Sequence, residues 1–198
     1  MSKINTVFQY VGNSIPYMLC FIPIMIITRT IVFLINKRKH NSINWRHECG
    51  LLIFGLYCVG VASQTFIPKL EFGRNSFIVN QNLHGEINLI PGKFIFDLIN
   101  ECIRNGNWDY FIINIIGNIC IFIVIGFGLS ILWNITFKKN IIIGILSSLF
   151  IEIIQLPQAR GSDIDDILLN VLGIIIGYEI YKLISSKRCI DKIISKYR

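Results

Sequence analysis

Four carboxylates and a guanidinium fall inside the nineteen residues EIIQLPQARGSDIDDILLN, 152–170, which join two strongly apolar runs. A plain membrane turn needs a glycine and little else, and Gly161 already serves there. Glu152 sits within an apolar run and is a candidate general acid or base, since ionisable groups in such places usually mark function. Asp163, Asp165 and Asp166 offer the oxygen ligands that hold a hard divalent cation. Arg160 matches a phosphate in charge and geometry. No serine or cysteine stands beside a partner base, and His40, His47 and His84 all lie outside the apolar runs. A structural account competes with each of these roles. Asp163 or Ser162 can cap a helix, Asp165 and Asp166 suit its N-terminal dipole, and Arg160 can pair with Asp163 at the surface.

The elements that must position these groups are membrane helices. The chain is 53% hydrophobic and 16% charged, against roughly 25% charge in a soluble domain. Five continuous apolar runs cover Ile15–Ile35, Gly50–Ile67, Phe111–Trp133, Asn140–Pro157 and about Asp166–Ile184. Each is close to the roughly 20 residues that cross a bilayer as a helix. The runs do not alternate, and open sheet edges cannot face lipid, so the expected fold is an all-α polytopic bundle forming one membrane domain over 1–198.

The bases set its orientation. Twelve fall on one side of the alternating spans, including Lys37, Arg38, Lys138, Lys139 and the lysines and arginines after Tyr181, against six on the other. The N-terminus is therefore expected outside the cell and the C-terminus in the cytoplasm. This asymmetry accounts for the net charge of +7, so nucleic acid is not an expected partner; the bilayer is. Arg29, about 9 Å from the inner end of the first span at helical rise, can snorkel to headgroups or pair with an acid. Six scattered cysteines without C-x-x-C spacing read as small apolar residues. The first residues lack a basic stretch and a small-residue cleavage site, so no removable signal peptide is expected.

With that orientation, polar groups converge near the outer face. Glu152 lies about 8 Å below Pro157, and Gln155 shares its helical face. Asn114 and Asn118 stack on the third span, with Asn118 about 12 Å deep. On the fifth span Asp166, Asn170, Gly173 and Gly177 form one stripe. Gly117, Gly126, Gly128, Gly173 and Gly177 would let backbones approach closely. Asparagines in such helices also act as interhelical glue worth about 0.6 kcal/mol. In the long outer loop, KFIFDLINECIRN after Pro91 has helical periodicity, with Phe94, Ile95, Leu98, Ile99 and Cys102 on one face and Lys93, Asp97, Glu101 and Arg104 on the other. Trp108 and Tyr110 follow where an aromatic belt begins. This predicts an interfacial amphipathic helix, either sealing the bundle or covering a site for a lipid-linked substrate.

These residues carry a family likeness. N-L-I-P at 88–91, G-N-x-x-x-F at 117–122 with Gly126, E-x-x-Q at 152–155 and R-x-x-D-I-D-D-x-x-x-N-x-x-G at 160–173 occur in order. Over about 50–184 the chain resembles the VanZ-like family of bacterial membrane proteins, named for an accessory protein of teicoplanin resistance. Two departures stand out: Val124 replaces a proline of the third helix, and Gly92 replaces a phenylalanine after N-L-I-P. The resemblance implies a place in the bacterial cell membrane and reduced susceptibility to glycopeptides, lipid-tailed ones above all. Carried over residue by residue, its motif positions are Asn88, Asn118, Glu152, Gln155, Arg160, Asp163, Asp165, Asp166, Asn170 and Gly173. It does not establish an enzyme. Three classes follow: a binder of a lipid-linked wall precursor or lipoglycopeptide, an acid/base or metal-assisted intramembrane enzyme, and a transporter. The last is weakest, because no internal repeat is visible.

Overall fold

Long apolar runs with no water to satisfy their backbone fold as helices, and among the described residues the computed structural model is helical apart from two pairs of two-residue bridges and short connections. It describes residues 3–38, 44–65, 72–73, 76–77, 87–106, 108–155 and 162–186. In chain order these form α1 (Lys3–Arg38), α2 (Trp45–Thr65), β1 (Phe72–Gly73), β2 (Ser76–Phe77), β3 (Ile87–Asn88), α3 (Lys93–Asn105) and the single turn α4 (Asp109–Phe111). A π-helical turn, Ile112–Ile116, leads into α5 (Gly117–Trp133); α6 (Phe137–Gln155), β4 (Ser162–Asp163) and α7 (Ile164–Ser185) complete the order. β1 pairs antiparallel with β2, and β3 pairs parallel with β4.

The described parts of all five apolar runs are therefore helical, and among the described residues three helices are long and apolar enough to cross a membrane: Ser14–Ile35, Asn114–Trp133 and Ile164–Ser185. Three of the five expected spans meet this measure; the second and fourth expected runs extend, to Ile67 and Pro157, outside the described residues. The other two helices carry polar residues at their ends. α2 opens on Trp45, Arg46, His47 and Glu48, and α6 carries Lys138 and Lys139 in its first turn and Glu152 near its last.

The chain divides into two compact units. In the unit built on α1 and α2, the two helices run antiparallel. Arg29 of α1 makes a bidentate pair with Glu48 of α2, Nε to Oε2 at 2.6 Å and Nη2 to Oε1 at 2.5 Å. A Cβ at Gly55 would overlap the Met25 side chain, and one at Gly60 the Met18 side chain. Arg29 thus pairs with an acid, the forked geometry that guanidinium favours.

The second unit holds 68–130 and 134–183. There α5 and α7 come into backbone contact: a Cβ at Gly173 or Gly177 would overlap the carbonyl oxygen of Ile119 or Ile123, and one at Gly126 would meet Ile174 O at 2.5 Å. α6 joins them through buried polar groups. Asn140 Nδ2 donates to Gly126 O at 3.0 Å and Ser130 Oγ at 2.7 Å, and Asn170 Nδ2 donates to Ser148 Oγ at 2.9 Å. A compact apolar cluster of Leu98, Cys102, Ile115 and Leu169 fixes α3 against the start of α5 and α7. Of the residues on the face predicted to be apolar, Leu98 and Cys102 are buried and Phe94, Ile95 and Ile99 half-buried, while Lys93, Asp97, Glu101 and Arg104 are exposed.

Candidate functional site

Two sequence motifs that lie some seventy residues apart are locked together at the N-terminal end of α7. Asn88 sits in register with Asp163 across the β3–β4 bridge. Its Nδ2 donates to Asp163 Oδ1 at 3.2 Å and Oδ2 at 3.3 Å, while its Oδ1 accepts the Ile90 amide at 3.2 Å in a local turn. Asp163 in turn caps α7, its Oδ1 accepting the Asp165 amide at 3.0 Å. Its own amide donates to Glu152 Oε2 at 3.1 Å. One residue therefore ties together the N-L-I-P segment, the last turn of α6 and the first turn of α7.

Asp165 does something the sequence did not announce. It is fully buried, and its carboxylate accepts the backbone amides of Gly92 at 2.5 Å and Ile95 at 3.3 Å. These are the N-cap and third positions of α3, whose own N-cap residue has no side chain to offer. Asp165 thus supplies the missing cap from another helix, placing a negative charge at the positive end of the α3 dipole. Gly92 makes this feasible. Its φ of +83° turns the chain sharply enough to present the amide, a conformation that glycine adopts without penalty.

Asp166 points elsewhere, accepting from Asn118 Nδ2 of α5 at 2.8 Å. Glu152, Asp163 and Asp165 all lie near enough to act electrostatically on it. Glu152 is only 3% exposed. Four carboxylates are thus concentrated where the ends of α6 and α7 and the start of α5 meet, and amide donors from α3, α7, Asn88 and Asn118 offset their charge. The cluster is a set of hydrogen-bond acceptors: Glu152 accepts the Asp163 amide, and Asp166 accepts the side-chain amide of Asn118. Asp163 and Asp165 are engaged with backbone amides.

Of the other predicted residues, Gln155 is half-buried at the end of α6, and Asn114 is half-buried in the π-turn, one turn before Asn118. Asn170 is buried with Ser148, a turn farther along α7 from the carboxylates. Arg160, predicted as a phosphate partner, lies outside the described residues. Among the described residues no three His, Cys, Asp or Glu side chains are grouped to hold a metal ion; the hydrogen bonds above account for the placement of Asp163, Asp165 and Asp166. Reasoning from sequence also missed Ser148 and the π-turn. Ser148 lies one turn from Glu152 on the same face and was findable by spacing. The π-turn, a feature that often accompanies functional sites, has no signature in IINII.

A family model described as VanZ/LLP1 matches residues 54–185. The chain belongs to the VanZ/LLP1 family. Comparison with curated proteins and with solved structures gave no match. The VanZ/LLP1 stretch contains every residue of the cluster, from Asn88 to Asn170, and leaves α1 outside. The two departures from the VanZ-like pattern are both accommodated. Val124 is exposed on an uninterrupted α5, and Gly92 occupies the left-handed position that feeds Asp165.

Proposed function

We propose that this VanZ/LLP1 protein is a five-pass protein of the bacterial cell membrane whose outward-facing polar cluster engages a lipid-linked wall precursor or the drug itself, and so lowers susceptibility to teicoplanin. The N-terminus lies outside and the C-terminus in the cytoplasm. Its central observation is the pairing of a buried Glu152 with an Asp166 held by Asn118, gathered from three helices at one end of the bundle. Buried ionisable groups in a membrane protein are costly and usually retained for function.

Side-by-side packing supports the two additional spans. Contacts of α2 with α1 progress from Glu48–Arg29 through Gly55–Met25 to Gly60–Met18, so α2 lies along most of the α1 span. Likewise α6 meets Ser130 near one end of α5 through Asn140 and the start of α7 through Glu152. A helix that follows its neighbours over that length crosses the same slab, and its lysines then fall at the cytoplasmic headgroups.

The test is teicoplanin susceptibility of a sensitive host making wild type, Glu152→Gln or Asp166→Asn at equal membrane abundance, with vancomycin in parallel. Wild type is expected to protect, and both near-isosteric variants to fall back to the level of the host. Equal protection by all three would remove the carboxylates from the function. No protection by wild type would overturn the resistance reading.

A further inference from the structure

The helix α3 has three faces where a helix washed by water on one side of a protein has two. At 100° per residue, Leu98 and Cys102 lie on the face buried in the apolar cluster, and Lys93, Asp97, Glu101 and Arg104 lie about a third of a turn away. The remaining third carries Phe96 and Ile103. They are seven residues apart, on one line along the helix, and are 64% and 68% exposed. Two large apolar side chains aligned in this way on a helix that already has a polar face and a packed face need a third environment.

From Phe96 and Ile103 we infer that α3 is set into the lipid surface, with this third face in contact with the acyl chains of the leaflet beside it. Lipid, rather than another protein, is indicated by continuity along the chain. Trp108 follows α3, 47% exposed as a residue, with its ring packed edge-on against Phe111. Ile112 and Ile116, also exposed, then lead directly onto the outside of the candidate span Asn114–Trp133. The patch on α3 is thus an extension of a lipid-facing surface. An exposed tryptophan at that junction suits the interface, where its apolar ring and polar N–H are both accommodated. The polar face, with two bases and two acids, is left toward the headgroups and water.

The inference deepens the proposed function, and rests on its membrane placement. Because Asp165 ties the start of α3 to α7, a helix held in the leaflet keeps the carboxylate cluster beside lipid headgroups. A lipid-borne ligand could then reach it from within the leaflet.

The experiment places single tryptophans in an otherwise tryptophan-free chain (Trp45→Phe, Trp108→Phe and Trp133→Phe). Phe96→Trp, Ile103→Trp and Glu101→Trp variants are reconstituted into phosphatidylcholine vesicles with or without bromine on the acyl chains. Emission from Phe96→Trp and Ile103→Trp is expected to fall by roughly half in brominated lipid and to resist aqueous iodide, whereas Glu101→Trp does the reverse. A chain retaining native Trp108 alone reads the same patch with α3 unaltered, and should also be quenched by brominated lipid. Iodide quenching of the α3 reporters and of Trp108 without any effect of brominated lipid would overturn the inference. So would emission protected from both quenchers, which would put protein against this face. Lipid quenching in a chain that gives no teicoplanin protection would support lipid contact while removing the proposed function, so the two failures are distinct.

Discussion

Asp165 and Asp166 are neighbours of identical chemistry with opposite assignments. On a helix they point about 100° apart, and this alone sends one toward α3 and the other toward α5. Their shared position at the start of a helix was legible in the sequence, as was Asp163 as one of two candidate caps. The division of labour was not legible, because the partners of Asp165 are backbone amides that carry no side-chain signal. A clue existed in Pro91-Gly92 directly before the helix, a start with no capping side chain of its own. Asp165→Ala would leave the amides of Gly92 and Ile95 without their acceptor, at a cost of about 3 kcal/mol. The expected result is a lower melting temperature in detergent and faster hydrogen exchange in α3, with Asp165→Asn, which keeps one carbonyl acceptor, in between. Unchanged exchange in α3 on alanine substitution would mean that the cap is not what holds the helix.

Among the elements, α5 and α7 are joined through glycines rather than through interlocked side chains. Gly173 and Gly177 let the α5 backbone carbonyls of Ile119 and Ile123 approach, a contact that van der Waals packing rewards in a medium without hydrophobic drive between helices. The close-packing glycines of α5 and α7 were readable from spacing, and Gly126, Gly173 and Gly177 behave as expected. Gly117 does not, since a Cβ there would meet open space. This difference supplies an internal control. Gly173→Val would force α5 and α7 apart, costing about 1–3 kcal/mol or more and lowering the amount of folded protein in the membrane. Gly117→Ala should be neutral or stabilise by up to about 1 kcal/mol through helix propensity. Matched thermal melts of the two variants check both signs at once; a Gly173→Val protein as stable as wild type would mean that the helices can separate without loss. The π-turn just ahead of Gly117, whose Ile115 packs in one cluster with Leu98 and Cys102 of α3 and Leu169 of α7, has no signature in residue type.

For the whole molecule the alternatives are three spans and five, and charge does not separate them: under the proposed orientation either count puts the C-terminus on the same side as most of the basic residues. The two differ in which loops they turn over. If only the three most apolar helices cross, the segment around α3 lies in the cytoplasm and the α5–α6 connection lies outside. With five spans both are reversed. Lengthwise packing of α2 on α1 and of α6 against α5 and α7 favours five, because a helix beside a span is carried through the same hydrocarbon thickness. Single cysteines decide it directly. In a chain whose six native cysteines are replaced by alanine, Arg104→Cys on the exposed face of α3 should react with a membrane-impermeant maleimide in intact cells. Thr136→Cys, exposed between α5 and α6, should react only after the membrane is opened. The opposite pattern would bring the carboxylate-bound end of α3 to the cytoplasmic side. A cluster there could not meet a wall precursor or a glycopeptide outside the cell, so the same labelling that counts the spans also tests whether the site faces the chemistry proposed for it.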